Sequence, residues 1–237
     1  MGVNKMNIKI YGDGADIDVM ISQYKAKEVD GFTTNPTLMK KSGITDYMKF
    51  ARDVLSEIKD VSISFEVFSD DIDEMYDQAI KLNALGQNVW VKIPVTNTKG
   101  QSTAPLIKKL TDDGVKVNVT AIFTIEQVEE VCNAINAETP SIVSVFAGRV
   151  ANAGIDPEPL MKKSVELCSS KKLIEVLWAS PREAFNIIQA DRVGCHIITV
   201  TPDLVKASKT FGKDLLEYSL ETVEMFYNDA KESGFNI

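Results

Sequence analysis

The chain has 237 residues, 44% of them hydrophobic and 25% charged, a balance ordinary for a globular protein and sufficient to fill one large core. No apolar stretch approaches the roughly 20 residues a membrane helix needs, so no membrane partner is expected. The formal net charge of -8 comes without a basic stripe. That excludes the footprint needed to hold nucleic acid, while one or two arginines can still hold a small phosphorylated ligand.

The opening "MGVNKMNIKIYGDG" enters a strand pattern almost at once. It lacks the apolar region and cleavage site of a secretory signal, and the hydroxyl residue of a myristoylation signal, so a cytoplasmic location is expected. The three cysteines, Cys132, Cys168 and Cys195, form no C-x-x-C pair. Their odd count and wide spacing predict reduced thiols rather than a disulfide framework.

From the first strand onward, short β-branched runs alternate with longer amphipathic ones. The strand candidates are "NIKIYG", "GFTT", "SISFEVF", "VWVKIPV", "VKVNVTAIF", "SIVSVFA", "LIEVLWA" and "HIITV". Each is followed by a helical pattern, from "DIDVMISQYKAK" and "ITDYMKFARDVLSEIK" to "PREAFNIIQA" and "PDLVKASKTF". Cap signals mark several helix starts: Asp70 before the third, Thr124 with Glu126 and Gln127 at the fifth, and Thr201-Pro202 at the eighth. Eight such units predict an α/β fold, a (β/α)8 TIM barrel, with residues 1–237 as a single domain.

A further segment at about 213–233, "LLEYSLETVEMFYNDAKES", is one helix more than the barrel needs. Its apolar side needs a surface, either its own barrel or a neighbouring subunit.

Strand side chains alternate between faces, so each strand can be divided into two rows. Ile63, Phe65 and Val67 oppose Ser62, Ser64 and Glu66. Val89, Val91, Ile93 and Val95 oppose Trp90, Lys92 and Pro94. Val115, Val117 and Val119 oppose Lys116, Asn118 and Thr120, and Val143 and Val145 oppose Ser144 and Phe146. The apolar rows suit contact with surrounding helices, which leaves the polar rows inside the barrel. Asp13, Glu66, Lys92, Thr120 and Ser144 all fall late on their strands or just past them, toward the face where barrel active sites are built.

A lysine among apolar walls suits attack on a carbonyl. Desolvation disfavours the ammonium relative to its ordinary pKa of about 10.4 and frees the amine to form a Schiff base. The proton transfers that accompany imine chemistry require nearby carboxylates, which Glu66 and Asp13 supply, and Thr120 can orient a water between Glu66 and the imine. His196 is the one histidine in the chain and opens the eighth strand, at the end away from this site, so neither a Ser-His-Asp triad nor a His-rich zinc site is expected.

These residues lie in motifs that follow one another along nearly the whole chain: "YGDGAD", "GFTTNPT", "FEVF", "VWVKIPVT", "NVTAIFT", "SVFAGR" and "VLWASPR". In them the chain resembles the transaldolase family, specifically its small members, which are relatives of fructose-6-phosphate aldolase. The resemblance implies a Schiff-base lysine at Lys92, an Asp13 that handles the hydroxyl proton at the cleaved bond, and a catalytic water held by Glu66 and Thr120. It further implies that Thr33, Asn35 and Ser144 position the dihydroxyacetone part of the substrate, that Arg149, Ser180 and Arg182 bind the sugar phosphate, and that no cofactor or metal takes part. A homo-oligomer, a pentamer or decamer joined through the terminal helix, is implied as well.

Glu66 and Phe146 match transaldolases, whereas fructose-6-phosphate aldolases look to carry glutamine and tyrosine there. The expected activity is dihydroxyacetone transfer from sedoheptulose 7-phosphate to glyceraldehyde 3-phosphate, giving erythrose 4-phosphate and fructose 6-phosphate. "WASPREAF" departs from the aldolase pattern in being shorter after Ser180 and in carrying the bulky Trp178. The alternatives are an aldolase that cleaves without transfer, or a non-catalytic barrel that binds sugar phosphates. Deoxyribose-phosphate-type aldolases need a second lysine near the first, and Lys116 lies too early on its strand to serve.

Overall fold

The computed structural model describes residues 6–235. The Met1-Gly2 start, read for targeting signals, lies outside them. Among the described residues eight strands run in parallel: β1 (Lys9–Asp13), β2 (Gly31–Thr33), β3 (Ser62–Glu66), β4 (Val89–Pro94), β5 (Val117–Ile122), β6 (Ser141–Val145), β7 (Ile174–Trp178) and β8 (Ile197–Val200). They pair in chain order, and β1 pairs with β8 to close a barrel. The fold is the expected (β/α)8 barrel.

The helices are α1 (Ile17–Lys25), α2 (Pro36–Lys41), α3 (Tyr47–Glu57), α4 (Ile72–Asn83), α5 (Ala104–Asp112), α6 (Ile125–Ala134), α7 (Ala147–Asn152), α8 (Pro157–Cys168), α9 (Phe185–Arg192), α10 (Pro202–Ser208) and α11 (Leu215–Glu232). Two short ones, α2 and α7, were not expected from periodicity, and both stand directly after strands, at the rim of the barrel. A local signal for α2 does exist: Pro36 sits at its start, and the Asn35 side chain accepts the Leu38 N–H at 3.0 Å.

Caps differ from expectation at one helix. Asp71, not Asp70, caps α4, accepting the N–H groups of Asp73 and Glu74 at 3.0 Å each. Asp70 instead accepts the Thr98 N–H and hydroxyl, both at 2.7 Å, and ties down the loop after β4. Thr124 and Gln127 form a reciprocal capping box on α6. Thr201 stands at the start of α10 without a side-chain bond to it.

The two-row reading of the strands describes two cores. Outside the sheet, Ile63, Phe65, Val89, Val91, Ile93, Val117, Val119, Val143 and Val145 pack with the helices in one continuous cluster. Inside, Tyr11, Ile142, Leu177, Ala179 and Ile197 form a small separate cluster, joined by Trp90 and Phe146. Trp178 belongs to the outer cluster and is fully buried, so its bulk does not face the barrel axis. Above the inner cluster the interior turns polar. Ser144 donates to Asn118 Oδ1 at 2.6 Å, and Asn118 Nδ2 donates to Ser64 Oγ at 3.0 Å, which satisfies three buried polar side chains with one another.

The thiol expectation is corrected. Cys132 on α6 and Cys168 at the end of α8 form a disulfide, with their Cα atoms 6.1 Å apart and a sequence separation of 36. Sequence spacing concealed the pair because α6 and α8 pack side by side on the barrel. Cys195 alone is a free thiol, and burial pushes its pKa up to about 12.

The last helix, α11, has no buried residue. Of the two surfaces open to it on sequence grounds, its own barrel is therefore not the one it covers. Leu216, Leu220, Val223 and Tyr227 recur at helical spacing and are 84%, 59%, 61% and 67% exposed.

Candidate active site

The barrel register fixes the site before any side chain is considered. Glu66 is level with Lys92 across β3 and β4, and Lys92 with Asn118 across β4 and β5; Asp13 is level with Thr33 across β1 and β2. A β-bulge after Val119 then breaks the pairing of β5 with β6. Ala121 takes φ +60 there, and Thr120 and Ala121 both face the cleft instead of alternating.

The result is a cleft of about 430 Å³ at the C-terminal ends of the strands. Asp13, Thr33, Asn35, Glu66, Lys92, Thr120, Ser144, Phe146, Arg149 and Ser180 all line it. Arg182 does not line it. That side chain is exposed on the loop after β7, where its Nε donates to the Gly148 carbonyl at 3.4 Å and its own N–H donates to Asn186 Oδ1 at 2.7 Å.

Lys92 is 6% exposed, as the apolar sequence around it suggests, but it is not alone. Its Nζ lies 3.1 Å from Glu66 Oε2 and donates to the Thr34 carbonyl at 2.9 Å. A buried ammonium so placed is compensated in the resting protein, and the carboxylate that compensates it is also positioned to take its proton.

Asp13 occupies the opposite wall and accepts the Thr33 hydroxyl at 2.9 Å. Desolvation pushes its carboxyl above the ordinary carboxylate range; Glu66 adds to this, while Lys92 and the Thr33 bond oppose it. Thr33 also makes a hydroxyl–hydroxyl contact with Thr199 on β8. Thr199, Asn118 and Leu177 are cleft residues that sequence reasoning did not single out. Asn118 stood in the polar row of β5, and Thr199 has the parity of the inward-facing Ile197, so the signal was present.

At the outer end, the Arg149 guanidinium lies 5.5 Å from the Phe146 ring centre, and Phe123 flanks the same ring at 5.7 Å. Ser180 is held at φ +60. Lys92 is the one lysine lining the cleft among the described residues. Lys116 reaches the Gln87 carbonyl and lines a separate depression with Asn83 and Gly86. His196 is also elsewhere: its Nδ1 accepts the Val176 N–H at 3.0 Å, and burial lowers its pKa. Among the described residues, no group of three or more His, Cys, Asp or Glu side chains is placed to hold a metal ion, and no helix is long and apolar enough to cross a membrane.

A barrel carrying a buried lysine between two carboxylates at its C-terminal face is the framework of an aldol-type enzyme. The sequence model described as Transaldolase/Fructose-6-phosphate aldolase matches residues 10–237, and the chain belongs to this family. A probable transaldolase of Ruegeria sp. (strain TM1040) is 30% identical over 231 residues, covering 97% of this chain and 100% of the relative. One of Thermoanaerobacter sp. (strain X514) is 31% identical over 233 residues, 97% of this chain and 100% of the relative. One of Methanococcus maripaludis (strain C7 / ATCC BAA-1331) is 32% identical over 216 residues, 90% and 94% respectively. The family and these relatives support a transaldolase-type enzyme.

Proposed function

We propose that the protein is a transaldolase that moves a dihydroxyacetone unit from sedoheptulose 7-phosphate to glyceraldehyde 3-phosphate through an imine on Lys92. The observation that carries this reading is the position of Lys92 Nζ, buried in the cleft and 3.1 Å from Glu66 Oε2, with Asp13 lining the same cleft.

Glu66 takes a proton from Lys92, and the free amine adds to the C2 carbonyl of the ketose. The carbinolamine loses water, with Glu66 and a water oriented by Thr120 exchanging the protons, and an iminium forms. The Asp13 carboxylate then removes the proton of the C4 hydroxyl. The C3–C4 bond breaks, its electron pair neutralises the iminium to an enamine, and erythrose 4-phosphate departs as the aldehyde. Glyceraldehyde 3-phosphate enters, C3 of the enamine attacks its carbonyl carbon, and Asp13 returns the proton to the new alkoxide. Water adds to the regenerated iminium and releases fructose 6-phosphate. The desolvation that raises Asp13 makes its carboxylate a stronger base than an exposed one, which suits this return trip.

Thr33, Asn35 and Ser144 position the hydroxyls of the three-carbon unit, and Arg149 with Ser180 receives the phosphate. Arg182 completes that site by swinging from the Gly148 carbonyl toward the cleft. Phe146 places an apolar ring where a hydroxyl would assist hydrolysis of the enamine, and Glu66 is the acidic alternative to glutamine; both favour transfer over release. The iminium is the electron sink, so the reading needs neither metal nor cofactor. The setting we propose is sugar-phosphate interconversion of the pentose phosphate type, in the cytoplasm, by a single-domain chain assembled as a pentamer or decamer through the exposed α11.

The test is borohydride reduction in the presence of fructose 6-phosphate, followed by peptide mass spectrometry. A three-carbon adduct on Lys92 is expected, and Lys92→Met lowers turnover by a factor on the order of 10³ or more. Absence of any adduct leaves a non-catalytic sugar-phosphate barrel. Free dihydroxyacetone appearing as fast as transfer product makes the protein a fructose-6-phosphate aldolase instead.

A further inference from the structure

Glu66 is the last residue of β3, and its backbone N–H and C=O point toward β2. But β2 ends at Thr33, and the final bond between the two strands runs from the Thr34 N–H to the Ser64 carbonyl at 3.1 Å. Past that point Glu66 has, among the described residues, no strand partner on this side. The Tyr47 hydroxyl, at the start of α3, takes the place of one. It accepts the Glu66 N–H at 2.8 Å and donates to the Glu66 carbonyl at 2.8 Å. On the other side, β4 holds the chain through the Val67 N–H, which donates to the Lys92 carbonyl at 3.1 Å.

The Tyr47 ring is itself fixed. Phe65 meets it edge-on, with centroids 6.5 Å apart, and Phe68 packs against it at 5.4 Å. Burial raises the phenol pKa, so the group stays a neutral hydroxyl that can donate and accept at once.

We propose that Tyr47 is a positioning residue for the reaction: by closing the β3 ladder it holds the Glu66 carboxylate against the Lys92 amine. This rests on the imine reading, in which Glu66 exchanges protons at Lys92. Tyr47 does not line the cleft and touches no substrate, so its effect passes through Glu66 alone.

The experiment is a double-mutant comparison of Tyr47→Phe in the native chain and in a Glu66→Gln chain, with transfer kcat and KM measured for each. In the native chain kcat falls about ten- to a hundredfold, the scale of a misplaced catalytic group, with KM within about twofold. In the Glu66→Gln chain the same substitution changes kcat by less than about twofold, because the carboxylate it positions is already gone. 4-Aminophenylalanine at position 47, which keeps a donor for the Glu66 carbonyl, restores most of the lost rate. Equal losses in both backgrounds, or no loss in the native chain, overturn the proposal.

If the phenylalanine variant does not fold, Tyr47→His, whose shorter ring does not replace the two hydroxyl bonds to Glu66, is compared in the two backgrounds under the same criteria. Failure of both to fold also overturns it, because the hydroxyl then serves the fold. Borohydride trapping on the unsubstituted chain separates the two layers. With no Lys92 adduct the imine reading itself is wrong, whereas an adduct with equal losses removes only the role of Tyr47.

Discussion

Gly148 faces Ser180 so closely that a Cβ built on it would sit 1.6 Å from the Ser180 carbonyl oxygen. The Gly148 N–H also donates to the Ala179 carbonyl at 3.3 Å, so the first turn of α7 lies directly on the loop that leaves β7. This contact brings Arg149 and Ser180 to the same end of the cleft. Gly148→Ala must push α7 and that loop apart. A loss of about 2–4 kcal/mol in unfolding free energy is expected by denaturant titration. The proposed phosphate role adds a kinetic consequence: kcat/KM should fall more for fructose 6-phosphate than for unphosphorylated fructose. Equal falls for the two would separate this contact from phosphate binding.

Asp13 offers a test in which stability and activity move in opposite directions. Its carboxyl holds a proton more tightly in the folded chain than an unfolded carboxyl does. Between the ordinary carboxylate range and that raised value the native state binds more protons than the unfolded state. Stability therefore falls as pH rises through this window and stays lower above it. Asp13→Asn removes the effect, so the variant melts at a higher temperature than the native chain at pH 7, and the two converge in acid below the ordinary carboxylate range. Transfer activity falls by a factor on the order of 10²–10⁴. A variant that melts lower at pH 7 would contradict the cause given for the shift.

The sequence carries the barrel and most of the cleft because strand parity is a local property. Once Lys92 and Glu66 are assigned to inward rows and late strand positions, the closed register puts them level without further information. Features set by contacts between segments distant in the chain were not legible. Asp70 and Asp71 are equally good caps by type, and only the loop bond to Thr98 decides between them. Tyr47 reads as one more apolar position of an amphipathic helix, because the ladder gap it fills exists only where β2 stops short. Arg182 stands beside Ser180 in sequence, yet the loop turns its side chain to Gly148, outside the cleft.

The Cys132–Cys168 bond closes a loop of 36 residues that carries β6, α7 and α8. On the chain-entropy account a loop of this length stabilises the fold by about 4 kcal/mol. Cys132→Ser, or full reduction, should lower stability by about that amount in urea titration. Both cysteines are buried, Cys132 at 7% exposure and Cys168 at 1%, so reductants act slowly unless the chain opens. Alkylation of the unfolded, unreduced protein should modify Cys195 alone. Labelling of all three positions under those conditions would show the pair to be unbonded.

The stripe of Leu216, Leu220, Val223 and Tyr227 on α11 makes the assembly testable apart from the chemistry. A helix of 18 residues with no buried side chain lacks the tertiary packing that gives most helices their stability. Asp214 caps it by accepting the Leu216 and Glu217 N–H groups at 2.9 and 3.0 Å, which fixes the start but supplies no packing. Association with further copies would cover the stripe and add stability that depends on protein concentration. Light scattering of the unsubstituted chain should give several times the protomer mass, and its melting temperature should rise with concentration. Leu220→Asp combined with Val223→Asp places two charges in the stripe, so this variant should run as a single chain whose melting temperature ignores concentration. Borohydride adduct formation on Lys92 should persist in it, since no α11 side chain lines the cleft. A native chain that scatters as a protomer at every concentration would leave α11 without the proposed partner.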